Sequence, residues 1–224
     1  MNSDLDCQPD IFADIAESNP HELAEQLRYY QGLLNDLLTL SMSMVNTLEP
    51  RTFLEEALTR TRKMTASDAG SIYLIDRSAP VHTVCFEVSQ NDSQPDRSLV
   101  SFAVPLNQNS IVGYVAMTGK ILNLSDAHDL PADAEYQHHK TFDHDIEYRT
   151  RSVLAVPIFN SQKSTIGVFQ LINRKVQDIV VTADNADAIT LTYSTLDEKL
   201  LQAIASQVSL YIERSQLLGQ GFTP

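Results

Sequence analysis

Leu23, Leu27, Tyr30, Leu34, Leu37, Ser41, Met44 and Leu48 follow one another at spacings of 4-3-4-3-4-3-4, and all but Ser41 are apolar. Such a seam stays on one side of a helix only near about 3.5 residues per turn, so it predicts a long helix over residues 21–50, stopped at Glu49-Pro50. A second seam, Leu201, Ile204, Val208, Tyr211 and Leu218, runs through a helix predicted from Ser194 to Gln220. Ser194 is its cap, and Asp197 and Glu198 occupy the first turn, where a carboxylate meets the positive end of the helix dipole. Both seams are longer than the cover of one small domain requires. They predict a homodimer through paired helices, against the plainer reading that they cover the outer face of a sheet.

Between these ends the pattern turns to strands. A shorter helix fits Arg51–Thr65, with Phe53, Leu54, Ala57, Leu58 and Met64 as its apolar stripe. Ala69–Asp76, Val81–Val88 and Leu99–Val104 are short β-rich runs separated by polar turn material. Asn109–Gly119 predicts a short helix capped by Asn109 or Ser110 and ended by Gly119, and Ile121–Leu124 a short strand. Pro131–Glu147 is polar, histidine-rich and weakly helical. Ser152–Phe159 and Thr165–Asn173 form a hairpin about Asn160–Ser164. Asp178–Val181 and Ile189–Tyr193 predict an additional hairpin. The class is therefore α+β: a mainly antiparallel six-stranded sheet flanked by long N- and C-terminal helices. The divisions are a flexible acidic lead-in at 1–20, the dimerisation helix at 21–50, a core at 51–193, and a C-terminal signalling helix with a truncated linker at 194–224.

Charge narrows the partners. Sixteen Lys+Arg against 29 Asp+Glu give a net charge of −13, which disfavours polyanions, so neither nucleic acid nor a membrane surface is expected. No run is long and apolar enough to span a bilayer, and Met1–Asp10 lacks a signal-peptide pattern, so a cytoplasmic location is expected. Two cysteines, Cys7 and Cys85, build neither a disulfide framework nor a four-cysteine zinc site.

Several stretches resemble the GAF domain, a small-molecule sensor module. They are AGSIYLID (69–76), SIVGYVAMTGKILNLSDA (110–127), EYRTRSVLAVPI (147–158), STIGVFQLINR (164–174) and YSTLDEKLL (193–201). Gly113–Gly119 followed by Tyr148-Arg-Thr-Arg151 is similar to the cyclic-nucleotide-binding subgroup found in phosphodiesterases and adenylyl cyclases. That subgroup's scattered Asn-Lys-Phe-Asp-Glu signature appears here as Asn173, Arg174, Tyr193, Asp197 and Glu198. The resemblance implies an enclosed purine pocket over one face of the sheet, a regulatory role, no catalysis by this chain and no cofactor. It implies a cyclic nucleotide as ligand, cAMP slightly preferred, with the signal relayed through paired helices to an output domain. The alternative is a dimerisation and relay module whose pocket is vestigial or takes a different small ligand.

The residues themselves suggest how such a ligand would sit. Backbone N–H groups at the start of the 110–119 helix accept an anion without a lysine, or else Asn109 or Ser110 merely caps them. The resemblance puts the phosphate near Ile111 and Val112. Ser71 and Gln170 are polar inside apolar strands, and a buried amide must find partners. Those partners are either a purine edge or Ser71, water and backbone. Phe86 either stacks on the base, as the resemblance implies, or belongs to the core. Asp143 and Thr150 fall on ligand-contact positions of the family, while Ile146-Glu147 replaces a Thr-Gly common in relatives. Arg174 and Asp197 are expected to pair as ions outside the pocket. His139 and Asp143 share a helical face at i, i+4, but a solvated lid is the reading adopted and no metal site is expected. His144-Asp145 carries too little specificity to suggest a hydrolase. Cys85, alone in an apolar strand, suits neither the reductases nor the bilin-binding members of the family.

Overall fold

The computed structural model describes residues 19–46, 49–78, 80–95, 103–138, 143 and 147–219. Residues 1–18 of the predicted lead-in, most of the 99–104 run, His139, His144-Asp145, Ile146 and the last five residues lie outside this set. The chain divides into two units, residues 1–39 and 40–224. Helix α1 (Pro20–Asn46) begins in the first and ends in the second. Leu27, Tyr30 and Leu34 of its seam are exposed.

In the second unit, α2 (Pro50–Met64) starts on Glu49, whose carboxylate accepts the Thr52 N–H, with Pro50 in the first turn, where its missing donor costs nothing. The strands are β1 (Ser67–Asp76), β2 (Thr83–Asn91), β3 (Ala103–Pro105), β4 (Leu122–Leu124), β5 (Val153–Phe159), β6 (Thr165–Lys175) and β7 (Thr190–Leu191). They form one sheet in the order β3-β2-β1-β6-β5-β4, with β7 added to β6, and every pairing is antiparallel. Between β3 and β4 lies α3 (Ile111–Thr118), capped by Ser110 and ended by Gly119 in the left-handed region at φ 66°. A short α4 (Ala186–Ile189) precedes β7, and α5 (Thr195–Leu217) closes the unit.

Alternation sorts the strand residues onto two faces. One face is covered by α2 against β1 and β2 and by α5 against β5 and β6. Phe53 and Tyr211 stack there at 4.0 Å, and Leu54, Leu58, Ile72, Leu171, Leu201 and Ile204 are fully buried. The opposite face packs under α3: Ile111, Val115 and Ala116 meet Tyr73, Val84, Val153, Ala155 and Val168.

Three expectations change. Four of the five α5 seam residues, Leu201, Ile204, Val208 and Tyr211, are buried within the domain, and only Leu218 is exposed. That seam is spent on the sheet, so it does not supply the dimer contact. The hairpin predicted across 178–193 does not form. Asn185 Oδ1 instead accepts the Thr182 N–H at 2.8 Å while its Nδ2 donates to the Val180 carbonyl at 2.9 Å. These side-chain bonds turn the chain into α4, and two residues reach β6 as β7. Residues 131–138 are turns and not the weak helix expected.

Candidate functional site

Strand register builds the floor beneath α3. Ser71 lies opposite Gln170 across β1–β6 and opposite Ser89 across β1–β2, while Ala155 stands opposite Gln170 on β5. The β1–β2 register slips between Ile72 and Tyr73. That bulge sets Phe86 opposite Tyr73 although Ser89 is opposite Ser71, so both β2 side chains reach one face despite their odd spacing. Ile111 is buried at the start of the α3 roof, and Val112 packs against the same cluster. A Cβ at Gly113 would lie 1.8 Å from the Asn107 carbonyl, so glycine is what lets the preceding loop press on the helix's first turn.

The buried polar groups of this floor meet one another. Tyr73 donates its hydroxyl to Gln170 Oε1 at 3.0 Å, and Ser71 Oγ donates to Ser89 Oγ at 3.0 Å. Burial pushes the Tyr73 phenol well above its usual range, with the Ser71 hydroxyl opposing weakly. Among the described residues nothing accepts from Gln170 Nε2. Phe86 packs on Tyr73 with ring centroids 4.3 Å apart, a core contact on the face where a base would stack. At the helix start, Ser110 Oγ accepts the Gly113 N–H at 3.0 Å, so the capping role is realised.

Asp143 and Thr150 form a second group. Asp143 is 2% exposed; its Oδ1 accepts the Thr150 hydroxyl at 2.9 Å and its Oδ2 the Thr150 N–H at 2.8 Å. His128 Nε2 and His138 Nε2 stand 2.8 and 2.9 Å from that same Oδ2. Burial raises the carboxyl, but hydrogen bonds from His138, His128 and Thr150 outweigh it and hold the group below the ordinary carboxylate range. His138 adjoins Gln137, whose N–H donates to the Asn109 carbonyl at 3.2 Å and which bridges to Ser110, so the group sits beside the start of α3.

The signature residues serve a different place. Asn173, at φ 55°, donates to the Tyr148 hydroxyl (3.0 Å) and the Arg149 carbonyl (2.8 Å) and accepts the Arg151 N–H (2.8 Å). The Tyr193 hydroxyl contacts Ser67 Oγ at 2.9 Å. Arg174 Nε lies 3.1 Å from Asp197 Oδ2, an ion contact without hydrogen-bond alignment. Asp197 also completes the Ser194 capping box, and the neighbouring Glu198 accepts Gln202 Nε2 at 3.4 Å. Nearby, Asp68 accepts the Tyr148 hydroxyl at 2.9 Å and the Ser93 hydroxyl at 2.8 Å and pairs with Lys175 Nζ at 3.1 Å. An ≈ 440 Å³ cleft beside this network is lined by Arg62, Asp92 and Lys175, but Arg62 pairs with Asp92 and Lys175 with Asp68. It offers no uncompensated buried cation for a phosphate.

Sequence reasoning missed Tyr73, Ser89 and His128. Tyr73 was within reach, two residues from Ser71 and so on its face. Ser89 needed the bulge, and His128 reaches Asp143 from a turn with no periodic spacing.

The GAF domain profile matches residues 49–212. The chain belongs to the GAF domain family. Over 180 residues it is 32% identical to the dual 3',5'-cyclic-AMP and -GMP phosphodiesterase 11A of Takifugu rubripes, covering 73% of this chain and 19% of that protein. It is 24% identical over 179 residues to the probable 3',5'-cyclic phosphodiesterase pde-5 of Caenorhabditis elegans, covering 78% of this chain and 24% of that one. The chain thus spans about a fifth to a quarter of these relatives' lengths. The GAF domain of a phosphoenolpyruvate-protein phosphotransferase from Coxiella burnetii shares the fold at TM-score 0.62 and 15% identity, covering 85% of this chain and 98% of that one. A free methionine-R-sulfoxide reductase from Neisseria meningitidis does so at 0.59 and 14%, covering 83% and 91%. Cys85 of this GAF domain is a buried free thiol. No helix of the described residues is long and apolar enough to cross a membrane.

Proposed function

We propose that this GAF domain is a regulatory sensor for a cyclic nucleotide, held between α3 and the sheet face that carries Ser71 and Gln170. The observation that carries the reading is this buried polar pair, in register across β1 and β6 and joined only by the Tyr73 hydroxyl and Ser89 on a floor that is mainly apolar. Gln170 supplies a donor, Nε2, and a second lone pair on Oε1, which together match the acceptor and donor of an adenine edge. That is the basis for placing cAMP slightly ahead of cGMP. Phe86 provides the stacking surface, and the first N–H groups of α3, at Ile111 and Val112, face the phosphate. The net charge of −13 does not oppose one enclosed monoanion seated on backbone dipoles. The phosphodiesterase relatives, whose names specify cyclic nucleotides, support the assignment.

Relay runs through a homodimer of helices. The buried α5 seam is not available for this, but Leu196, Ala203, Leu210 and Leu217 recur every seven residues on α5 and are exposed. These exposed leucines of α5 and, on the first unit, Leu27, Tyr30 and Leu34 of α1 each offer an apolar stripe through which ligand closure biases an output domain.

The mutual bonding of Tyr73 with Gln170 and of Ser71 with Ser89 favours a second reading, a relay module with a closed pocket or a different small ligand. Isothermal titration separates the two. Saturable heat with cAMP or cGMP, reduced about tenfold or more in affinity by Gln170→Ala while melting persists, is the expected result. No heat and no thermal shift with either nucleotide at about 1 mM, a Kd worth only about −4 kcal/mol, overturns the assignment.

A further inference from the structure

We propose that His128, His138 and Asp143 form a binding site for a divalent transition-metal ion of the zinc class. Their ligand atoms, two Nε2 and one carboxylate oxygen, all lie within 4.8 Å of one another. Tetrahedral zinc at about 2.0–2.1 Å from each ligand atom needs separations of roughly 3.3 Å. The 2.8 and 2.9 Å nitrogen–oxygen distances need to open by about half an ångström to reach that value. Two imidazoles and one carboxylate leave at least one position for water or an exogenous ligand, and this mixture of nitrogen and oxygen suits zinc and its neighbours better than calcium or magnesium.

The hydrogen bonding points the same way. Asp143 Oδ2 has two lone pairs, yet three N–H groups converge on it: His128 Nε2, His138 Nε2 and Thr150 N. An ion among the three ligand atoms removes this crowding. Each imidazole then carries its proton on Nδ1 and directs the Nε2 lone pair at the metal. Oδ2 gives one lone pair to the metal and keeps the other for Thr150, while the Thr150 hydroxyl on Oδ1 fixes the carboxylate plane.

Both histidines also arrive on separately anchored segments. The His128 N–H donates to Asp126 Oδ1, whose other oxygen accepts from Arg149, and the Ala127 N–H donates to the Arg151 carbonyl. His138 follows Gln137, which is tied to the start of α3. Side chains 21%, 14% and 3% exposed leave the site reachable but mostly shielded. The field of a chain with net charge −13 draws cations toward it. An ion here would join the turn at 126–128, the approach to α3 and the segment before β5.

The test uses chelator-stripped protein of the full 224 residues, without nucleotide, so its outcome is separate from the nucleotide reading. Cobalt(II) titration should give a saturable visible band at one ion per chain, displaced by Zn²⁺, and Zn²⁺ should raise the melting midpoint. His128→Gln and His138→Gln each remove a ligand and should weaken binding by more than the roughly 100-fold that loss of an outer-shell partner costs, while the glutamine amide can still donate to Asp143 and keep the melting in EDTA close to that of the wild type. A readout needing no variant is the long-range ¹H–¹⁵N spectrum of the wild type, in which Zn²⁺ should shift Nε2 of His128 and His138 but not of His21 or His82. Absence of a saturable cobalt band and of zinc stabilisation, or zinc shifts confined to other histidines, overturns the proposal.

Discussion

Asp68 on β1 and Asp143 before β5 are both closed off from solvent, but their surroundings differ in kind. Asp68 meets a fixed cation, Lys175, together with the hydroxyls of Tyr148 and Ser93, and these share its two oxygens. Asp143 meets no lysine or arginine among the described residues. Its partners are the neutral Thr150 and two imidazoles, which compensate it only when they are protonated or when a cation is bound beside them. A carboxylate compensated by built-in charge is a structural fastener. One whose compensation is conditional suits a place where something arrives. The GAF signature residues belong to the first region and the nucleotide and metal proposals to the second.

The largest expected effect breaks the first region. Asp68→Ala leaves the buried Lys175 ammonium with only the exposed Asp178, 3.4 Å away, and strips the Tyr148 and Ser93 hydroxyls of their acceptor, so it should cost about 3–5 kcal/mol in urea denaturation. Asp143→Asn, which keeps an acceptor for Thr150 and strands no fixed cation, should cost about 1–3 kcal/mol. A larger loss at Asp143 than at Asp68 would invert the comparison.

A pH series sharpens it. Burial and the neighbouring Asp68 push the Tyr148 phenol well above its usual range, and burial likewise raises Tyr73 and Tyr193. The fold keeps these phenols protonated while the unfolded chain ionises them near about pH 10. Stability is therefore fully present below that pH and falls as pH rises past it. Urea midpoints should drop between about pH 9 and 11, and Tyr148→Phe should flatten the slope. An unchanged slope in that variant would remove Tyr148 from the account.

The smallest effect belongs to Arg174, 28% exposed and poorly aligned with Asp197. Arg174→Gln should change stability by about 0–1 kcal/mol. Asp197→Ala, which also removes the capping box of α5, should cost about 1–2 kcal/mol. Equal costs would mean that the ion pair, and not the cap, fastens the helix.

These contrasts also explain what the sequence disclosed. The β5–β6 hairpin and α3 were legible because alternation, a polar turn and the Ser110 and Gly119 caps are local signals. The pairing of Ser71 with Gln170 follows from two polar residues in apolar strands once register is known. Register shifts, side-chain competition and turn-borne contacts were not legible. The β1–β2 bulge redirects Phe86, Asn185 replaces a hairpin with α4, and His128 joins Asp143 from fifteen residues away. The α5 seam misled because a heptad pattern records an apolar stripe without naming what covers it.

Amide chemical shifts of ¹⁵N-labelled protein titrated with cAMP distinguish recognition at the α3-covered face from recognition at the Asp68 network. Saturable shifts are expected at Ser71, Gln170, Thr150 and Ile111–Gly113, with Asp68, Lys175 and Arg62 unmoved. No shifts up to about 1 mM, or shifts centred on the Arg62–Lys175 cleft, would contradict recognition at the α3-covered face.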